Sequence, residues 1–267
     1  MGVIFQTGYS LPGGDKPLTH ARIAHSGNWL SGGTITPSTT DAAYFANGPA
    51  NSLTYEKWKA TALAATWEYD HGAAALCDYC VIGAHNMGTN GNTLQIQYWN
   101  GASWTGVIPA TAITDDMEIM AIFGQQTRQR WRISISGGSI PEIGVIKFGK
   151  AMQMERPIYG GHAPLHMARQ TVLRSNQSDT GEFLGRTKQR VQLGSSLSFA
   201  NLTAAWVRAN WRPFQKAMET EPFFIAWRPQ DFSEVALCQC DAVPIPQNMG
   251  VRDLMSVEMQ VRARAYD

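Results

Sequence analysis

Apolar and polar residues alternate at period two along much of this chain. In residues 77–104, Leu94, Ile96 and Tyr98 alternate with Gln95, Gln97 and Trp99, after an apolar run at 79–84 and a Gly/Asn-rich loop at 85–92. Such alternation marks a strand with one face in a core, and Asn100-Gly101 directly after it signals a hairpin turn. Trp131, Ile133 and Ile135 alternate with Arg132, Ser134 and Ser136. Val257, Met259, Val261 and Ala263 alternate with Glu258, Gln260, Arg262 and Arg264. Further strands are expected at 21–24, 60–69, 107–108, 117–123, 142–148, 170–174, 183–193, 223–227 and 235–240, with short elements at 41–45 and 53–55. One stretch keeps a different period. Leu202, Trp206, Ala209, Phe214 and Met218 stand at near-helical spacing, so a helix is predicted over about 201–220, capped by Thr203, kinked or restarted at Pro213 and ended by Pro222.

Many short strands at this spacing predict an all-β chain with one helix. A jelly-roll sandwich is expected over residues 17–150 and a second β-rich domain with the helix lying on it over 151–267, with a Gly/Pro-rich stretch at 160–164 close to the boundary. Residues 1–16 read as an arm, because Val3, Ile4 and Phe5 are followed by Leu11-Pro12-Gly13-Gly14. The apolar piece either docks on its own domain or serves as a donor strand for another chain. In the second case, deleting residues 1–9 weakens assembly and leaves folding intact.

Composition narrows the partners. Charged residues make up 16% of the 267 residues, against roughly 25% in an average soluble chain, and the net charge is +1. A surface so poor in charge suits coverage by neighbouring subunits, and it carries no nucleic-acid footprint. The arginines at 128–132 are few and interleaved with Gln and Trp, short of a phosphate-binding cluster. No run of about 18 apolar residues is present, so no membrane span is expected. The first residues lack the pattern of a secretory signal, which implies a reducing cytoplasm and four free thiols.

The chemistry-bearing residues form no catalytic motif. Cys77 and Cys80, with Cys238 and Cys240, could in principle hold zinc or an iron–sulfur cluster. On a regular strand, however, Cys77 and Cys80 point to opposite faces, and the two pairs fall in different predicted domains. Structural thiols are the expectation. His162 and His166 lack the glutamate of a metalloprotease helix and have Pro164 between them. Asp115, Asp116 and Glu118 read as a solvated turn. No catalytic residue, metal ligand or cofactor site is therefore assigned. The aromatic residues leave one binding hypothesis: Tyr98, Trp99 and Trp104 flank the Asn100-Gly101 turn, and Trp29 lies in another Gly/Asn-rich loop. Indoles exposed on a sandwich can stack on sugar rings, although burial is the commoner fate of tryptophan.

Residues 17–25 (PLTHARIAH), 77–89 (CDYCVIGAHNMGT), 92–104 (NTLQIQYWNGASW) and 129–135 (QRWRISI) together resemble a galactose-binding-like, discoidin-like jelly roll of the version found in tail proteins of long-tailed bacteriophages. The turn at 181–186 (GEFLGR), the segment with Trp206 and Phe214, residues 221–229 (EPFFIAWRP) and 255–265 (MSVEMQVRARA) resemble the β-rich platform of distal-tail or minor-tail proteins. The resemblance implies a non-enzymatic structural component of a tail tip or baseplate in the virion, assembled in the bacterial host cytoplasm. It implies a homo-oligomeric ring, a hexamer or trimer, in contact with other phage tail proteins. The alternative it leaves open is a carbohydrate-binding or receptor-binding adhesin that contacts a cell-surface glycan.

Overall fold

The computed structural model describes residues 2–250 and 252–265. In chain order its strands are β1 (Val3–Phe5), β2 (Arg22–Ala24), β3 (Thr34–Pro37), β4 (Trp58–Lys59), β5 (Ala65–His85), β6 (Thr93–Trp99), β7 (Trp104–Ala112), β8 (Ile119–Ser136), β9 (Glu142–Gly149), β10 (Met152–Gln153), β11 (Arg169–Gln177), β12 (Phe183–Thr203), β13 (Phe223–Ala226), β14 (Val235–Cys240), β15 (Gln247–Asn248) and β16 (Leu254–Ala263). The all-β class with a single helical rod is as the alternation predicts.

The first unit is built on β5 and β8, each of which the periodicity divides in two. Phe123 and Trp131 lie eight residues apart on β8, about 26 Å along an extended strand. Their ring centroids are nevertheless 5.4 Å apart. β8 must therefore double over between them, through residues 124–128. Its partner β5 bends alongside, with register shifts between Asp70 and Ala75 and between Cys77 and Tyr79. One half of the bent pair joins β3, β6 and β7 in one layer, and the other half joins β1, β4 and β9 in the second. Phe148 of β9 closes the sandwich, 5.6 Å from Trp131 and 6.4 Å from Tyr69. The bend segments are small or polar, so alternation fades there although hydrogen bonding continues. Residues 41–45 and 53–55, expected as short elements, are turns around a 3-10 helix (Gly48–Ala50).

The second sheet runs β10-β2-β13-β14-β16-β12-β11, with β15 on β16. β2 belongs here although it lies in the segment assigned to the jelly roll. It has no solvent face: Ile23 enters the core of this sheet and Ala24 the core between the two sheets. The helical rod spans residues 204–218: α1 (Ala204–Trp206), a π-helical turn (Val207–Trp211) and α2 (Arg212–Met218). The Trp206 backbone N–H donates to the Thr203 hydroxyl at 3.3 Å, as the capping expectation requires. The π turn directly before Pro213 lets the rod continue past a residue without a backbone donor. Trp211 and Phe214 of the rod pack at 5.2 Å, and Phe214 meets Phe223 of the sheet at 4.9 Å.

A third core joins the two units. Val3, Tyr79, Val81, Met120, Ile122 and Val145 of the first pack on Ala24, Phe224, Ala226, Val235 and Leu237 of the second. An ion pair also crosses this seam. Glu118 is fully buried, accepts from Arg264 Nη1 at 2.9 Å and accepts the Ala84 N–H at 3.0 Å. The solvated-turn expectation thus describes the half-exposed Asp115 and Asp116 but not Glu118. Gly83 is required at this seam, since a Cβ there would stand 2.6 Å from the Glu118 carboxylate and 2.9 Å from the Phe224 ring.

The donor-strand alternative for the arm is also corrected. β1 pairs in parallel with β8 of its own chain, Val3 N–H donates to Ser233 Oγ at 3.0 Å, and Val3 and Ile4 are buried. Val3 and Ile4, within the segment expected to be dispensable for folding, instead fill two cores. Deleting residues 1–9 should therefore lower folding stability by about 3 kcal/mol or more, from the burial of two aliphatic side chains alone. Urea denaturation of the truncated chain measures this.

Acid should destabilise the fold through two buried histidines. His85 donates through Nε2–H to the Met117 carbonyl at 2.8 Å and accepts the Met87 N–H at Nδ1 at 3.3 Å, which together require the neutral ring. His25 lies 4.9 Å from Phe214 and accepts the Gly27 N–H at 3.1 Å. Burial pushes both imidazoles down to about 4. The unfolded chain, titrating near 6.5, binds more protons than the native state between that value and about 4. The stabilisation is complete above about pH 6.5 and is lost as pH falls through that window, on the order of 3 kcal/mol per histidine. Urea midpoints should drop on acidification, and His85→Gln should flatten the slope by about half.

Candidate functional site

Strand register brings a set of polar and aromatic side chains onto the outer face of the first layer. Leu94 and Ile96 of β6 point into the core, so Gln95, Gln97 and Trp99 point out. Cross-strand pairing sets Trp99 opposite Trp104, Gln97 opposite Arg132, Arg132 opposite Glu68, and Arg130 opposite Asp70. The two indoles meet edge to face with centroids 5.5 Å apart. The Arg132 guanidinium lies 4.2 Å from the centre of Trp104, and that of Arg130 lies 5.2 Å from Trp99 and 5.5 Å from Trp104. Cation–π contact of this kind holds planar groups flat against one another.

Hydrogen bonds fix the remaining groups. Arg132 Nε donates to Gln97 Oε1 at 2.6 Å, and Gln97 Nε2 donates to Gln95 Oε1 at 3.2 Å. Arg130 donates to Glu68 Oε1 through Nε at 2.9 Å and again through Nη2, and Asp70 stands 3.8 Å from the same guanidinium. The Gln129 amide beside Asp70 holds its carboxyl below the usual carboxylate range. Arg130 is thus neutralised by two carboxylates, whereas Arg132 is held by a neutral amide. The face offers two half-exposed indoles, one cation of limited pairing, and amide and carboxylate groups within reach of a flat, hydroxyl-rich ligand. It holds no nucleophile–base pair.

The three residues proposed for sugar contact separate here. Trp99 and Trp104 come together on the outer face. Tyr98 lies on the core side of β6, edge-on to Trp131 at 5.8 Å, with the Arg128 guanidinium over its ring at 4.6 Å. Trp29 is elsewhere, under the ammonium of Lys147 at 4.7 Å, where with Trp67, Tyr69 and Phe148 it lines a cavity of about 110 Å³. The groups around the Trp pair were outside the site expectation. Their signal was present, because Arg130 and Arg132 alternate with Trp131 and Ile133, and Glu68 and Asp70 with Trp67 and Tyr69. What the alternation does not state is which strands lie side by side.

The cysteines do not converge. Cys77 and Cys80 line the first core, and both point inward because the register shift between Cys77 and Tyr79 interrupts the alternation expected of a regular strand. Cys238 lies in the second core with Cys240 packed beside it. Burial pushes the thiols of Cys77, Cys80 and Cys238 well up and that of Cys240 to about 11, which disfavours the thiolate that metals and electrophiles require. His162 stands edge-on to Trp227 at 4.9 Å, and His166 sits in a 3-10 turn (Leu165–Met167). Among the described residues no three His, Cys, Asp or Glu side chains gather as metal ligands.

No protein-family model and no curated protein matches this chain. Among solved structures it is similar to the family 32 carbohydrate-binding module of NanJ from C. perfringens in complex with galactose, at 14% identity and a TM-score of 0.42, covering 48% of this chain and 99% of that one. It is also similar to chitosan-binding module 1 of a chitosanase/glucanase from Paenibacillus sp. IK-5, at 15% identity and a TM-score of 0.41, over 47% and 99% of the two chains. A third similar structure is SpGH29, at 14% identity and a TM-score of 0.41, over 48% of this chain. The chain spans 29% of the length of SpGH29. Identities and scores this low assign no function.

Proposed function

We propose that this chain is a non-enzymatic binding module that contacts carbohydrate through the outer face of its first layer. The observation that carries the reading is the Trp99–Trp104 pair, outward-facing and framed by Gln97, Arg132, Arg130 and Glu68. A sugar ring presents C–H groups on one face and hydroxyls at its rim, which suits an indole flanked by amides, guanidinium and carboxylate. Tyr98 supports the platform from the core side and touches no ligand.

A second reading, the one implied by the sequence resemblance, is a structural component of a phage tail tip that assembles as a ring within the virion. It is favoured by the part of the hairpin β11–β12 at residues 169–190, which is exposed at nearly every position, as expected of a part that is covered only in an assembly. The two readings are compatible, since the platform and the hairpin lie on different sheets.

Affinity electrophoresis of the full chain against a panel of polysaccharides tests the first reading. At least one polysaccharide should retard the native chain, and Trp99→Ala/Trp104→Ala should remove the retardation. The double substitution should cost only about 1–2 kcal/mol of stability, because both rings are half-exposed. Retardation that survives it would exclude this face as the binding surface.

A further inference from the structure

The hairpin β11–β12 cannot be explained by its own chain. Val172, Leu173, Phe183 and Leu184 are 43%, 45%, 63% and 64% exposed, and among the described residues no layer covers either side of the ribbon that carries them. A bare two-stranded ribbon is marginally stable in water, and an open edge strand such as β11 is a template for further contacts. Its charge is also set apart. Residues 169–193 carry five basic side chains and two acidic ones, so the rest of the chain, from totals of 22 and 21, holds 17 basic and 19 acidic. A cationic, apolar-tipped arm is joined to a slightly anionic body.

We infer that the tip of this ribbon seats in a groove on a second copy of the same chain. The groove is a concavity of about 350 Å³ beside β12, β15 and β16, lined by Ser198, Val243, Ile245, Gln247, Ser256 and Glu258. Ile245 is 74% exposed there, an aliphatic side chain open to water as Phe183 and Leu184 are. Glu258, which accepts from Ser196 Oγ at 2.7 Å, supplies a carboxylate for the basic ribbon that carries Arg186, Lys188 and Arg190. The groove of the same chain is out of reach. Phe183 and Ser198 belong to one strand, fifteen residues apart and so about 50 Å along it. Only another copy can bring ribbon and groove together. Because the two surfaces differ, the contact is head-to-tail and propagates until it closes as a ring or runs on as a fibre.

This inference deepens the assembly reading above and names the part that makes the contact. Native mass spectrometry and light scattering on the full chain test it. The native chain should be oligomeric. Phe183→Ser/Leu184→Ser should be monomeric with an unchanged far-ultraviolet circular dichroism spectrum, since both side chains are exposed, and Ile245→Lys, which sets a cation against the basic ribbon, should behave likewise. Mixing the ribbon variant with the groove variant should restore a dimer and nothing larger, because one intact ribbon then meets one intact groove. A monomeric native chain would overturn both this inference and the assembly reading. An oligomer that persists in both variants would overturn the ribbon inference alone. Monomeric variants that fail to pair on mixing would overturn the groove as the partner surface.

Discussion

The first unit exists because β5 and β8 bend together without separating. Two long paired strands that stayed straight would make a flat ribbon with Trp67, Phe123 and Trp131 exposed. Folding the pair over places those rings in a common core, all but inaccessible to solvent. The polar and small residues at the bends allow it, and the register shifts relieve the ladder where curvature is greatest. Every other strand of the unit joins one half of this pair or extends the sheet from such a strand.

Interlocking of the two units follows from the same economy of strands. β1 and β2 come from the beginning of the chain, yet one completes the first sheet and the other sits inside the second. The core between the sheets is therefore sewn from both ends of the sequence. Within it, Glu118 is tolerated only because Arg264 and the Ala84 amide satisfy it. A buried carboxylate stripped of such partners is among the costlier defects a fold can carry. The seam therefore specifies how the units meet as well as holding them.

The outer face and the ribbon are exposed for different physical reasons. On the face, guanidinium groups lie on indoles and hydrogen-bond to fixed neighbours, so the surface is ordered before any ligand arrives, and little side-chain entropy remains to be lost on binding. The ribbon is held by a backbone ladder with two register shifts and has almost no side-chain burial over residues 169–190.

Much of the fold was legible in the residues. Alternation located the outward set on β6, β8 and β16, Asn100-Gly101 marked the β6–β7 hairpin, and Leu202 to Met218 with Thr203 and Pro213 described the helical rod. Local chemistry suffices for these, because period and capping depend only on near neighbours. The candidate site was half legible: Trp99 and Trp104 could be named, but Tyr98 was grouped with them and Glu68, Gln97, Arg130 and Arg132 were not. Their meeting depends on register between strands about 30 residues apart or more, to which local pattern is blind. The same holds for the inward turn of both Cys77 and Cys80 at a register shift, for the burial of Glu118, and for the docking of Val3–Phe5 on its own sheet. Sequence by itself determined the class, most of the strands, the β6–β7 turn and the helical rod, with the apolar face of each regular stretch. Tertiary structure alone decided which strands are neighbours and where they bend, because those choices are set by long-range pairing and the shared filling of three cores.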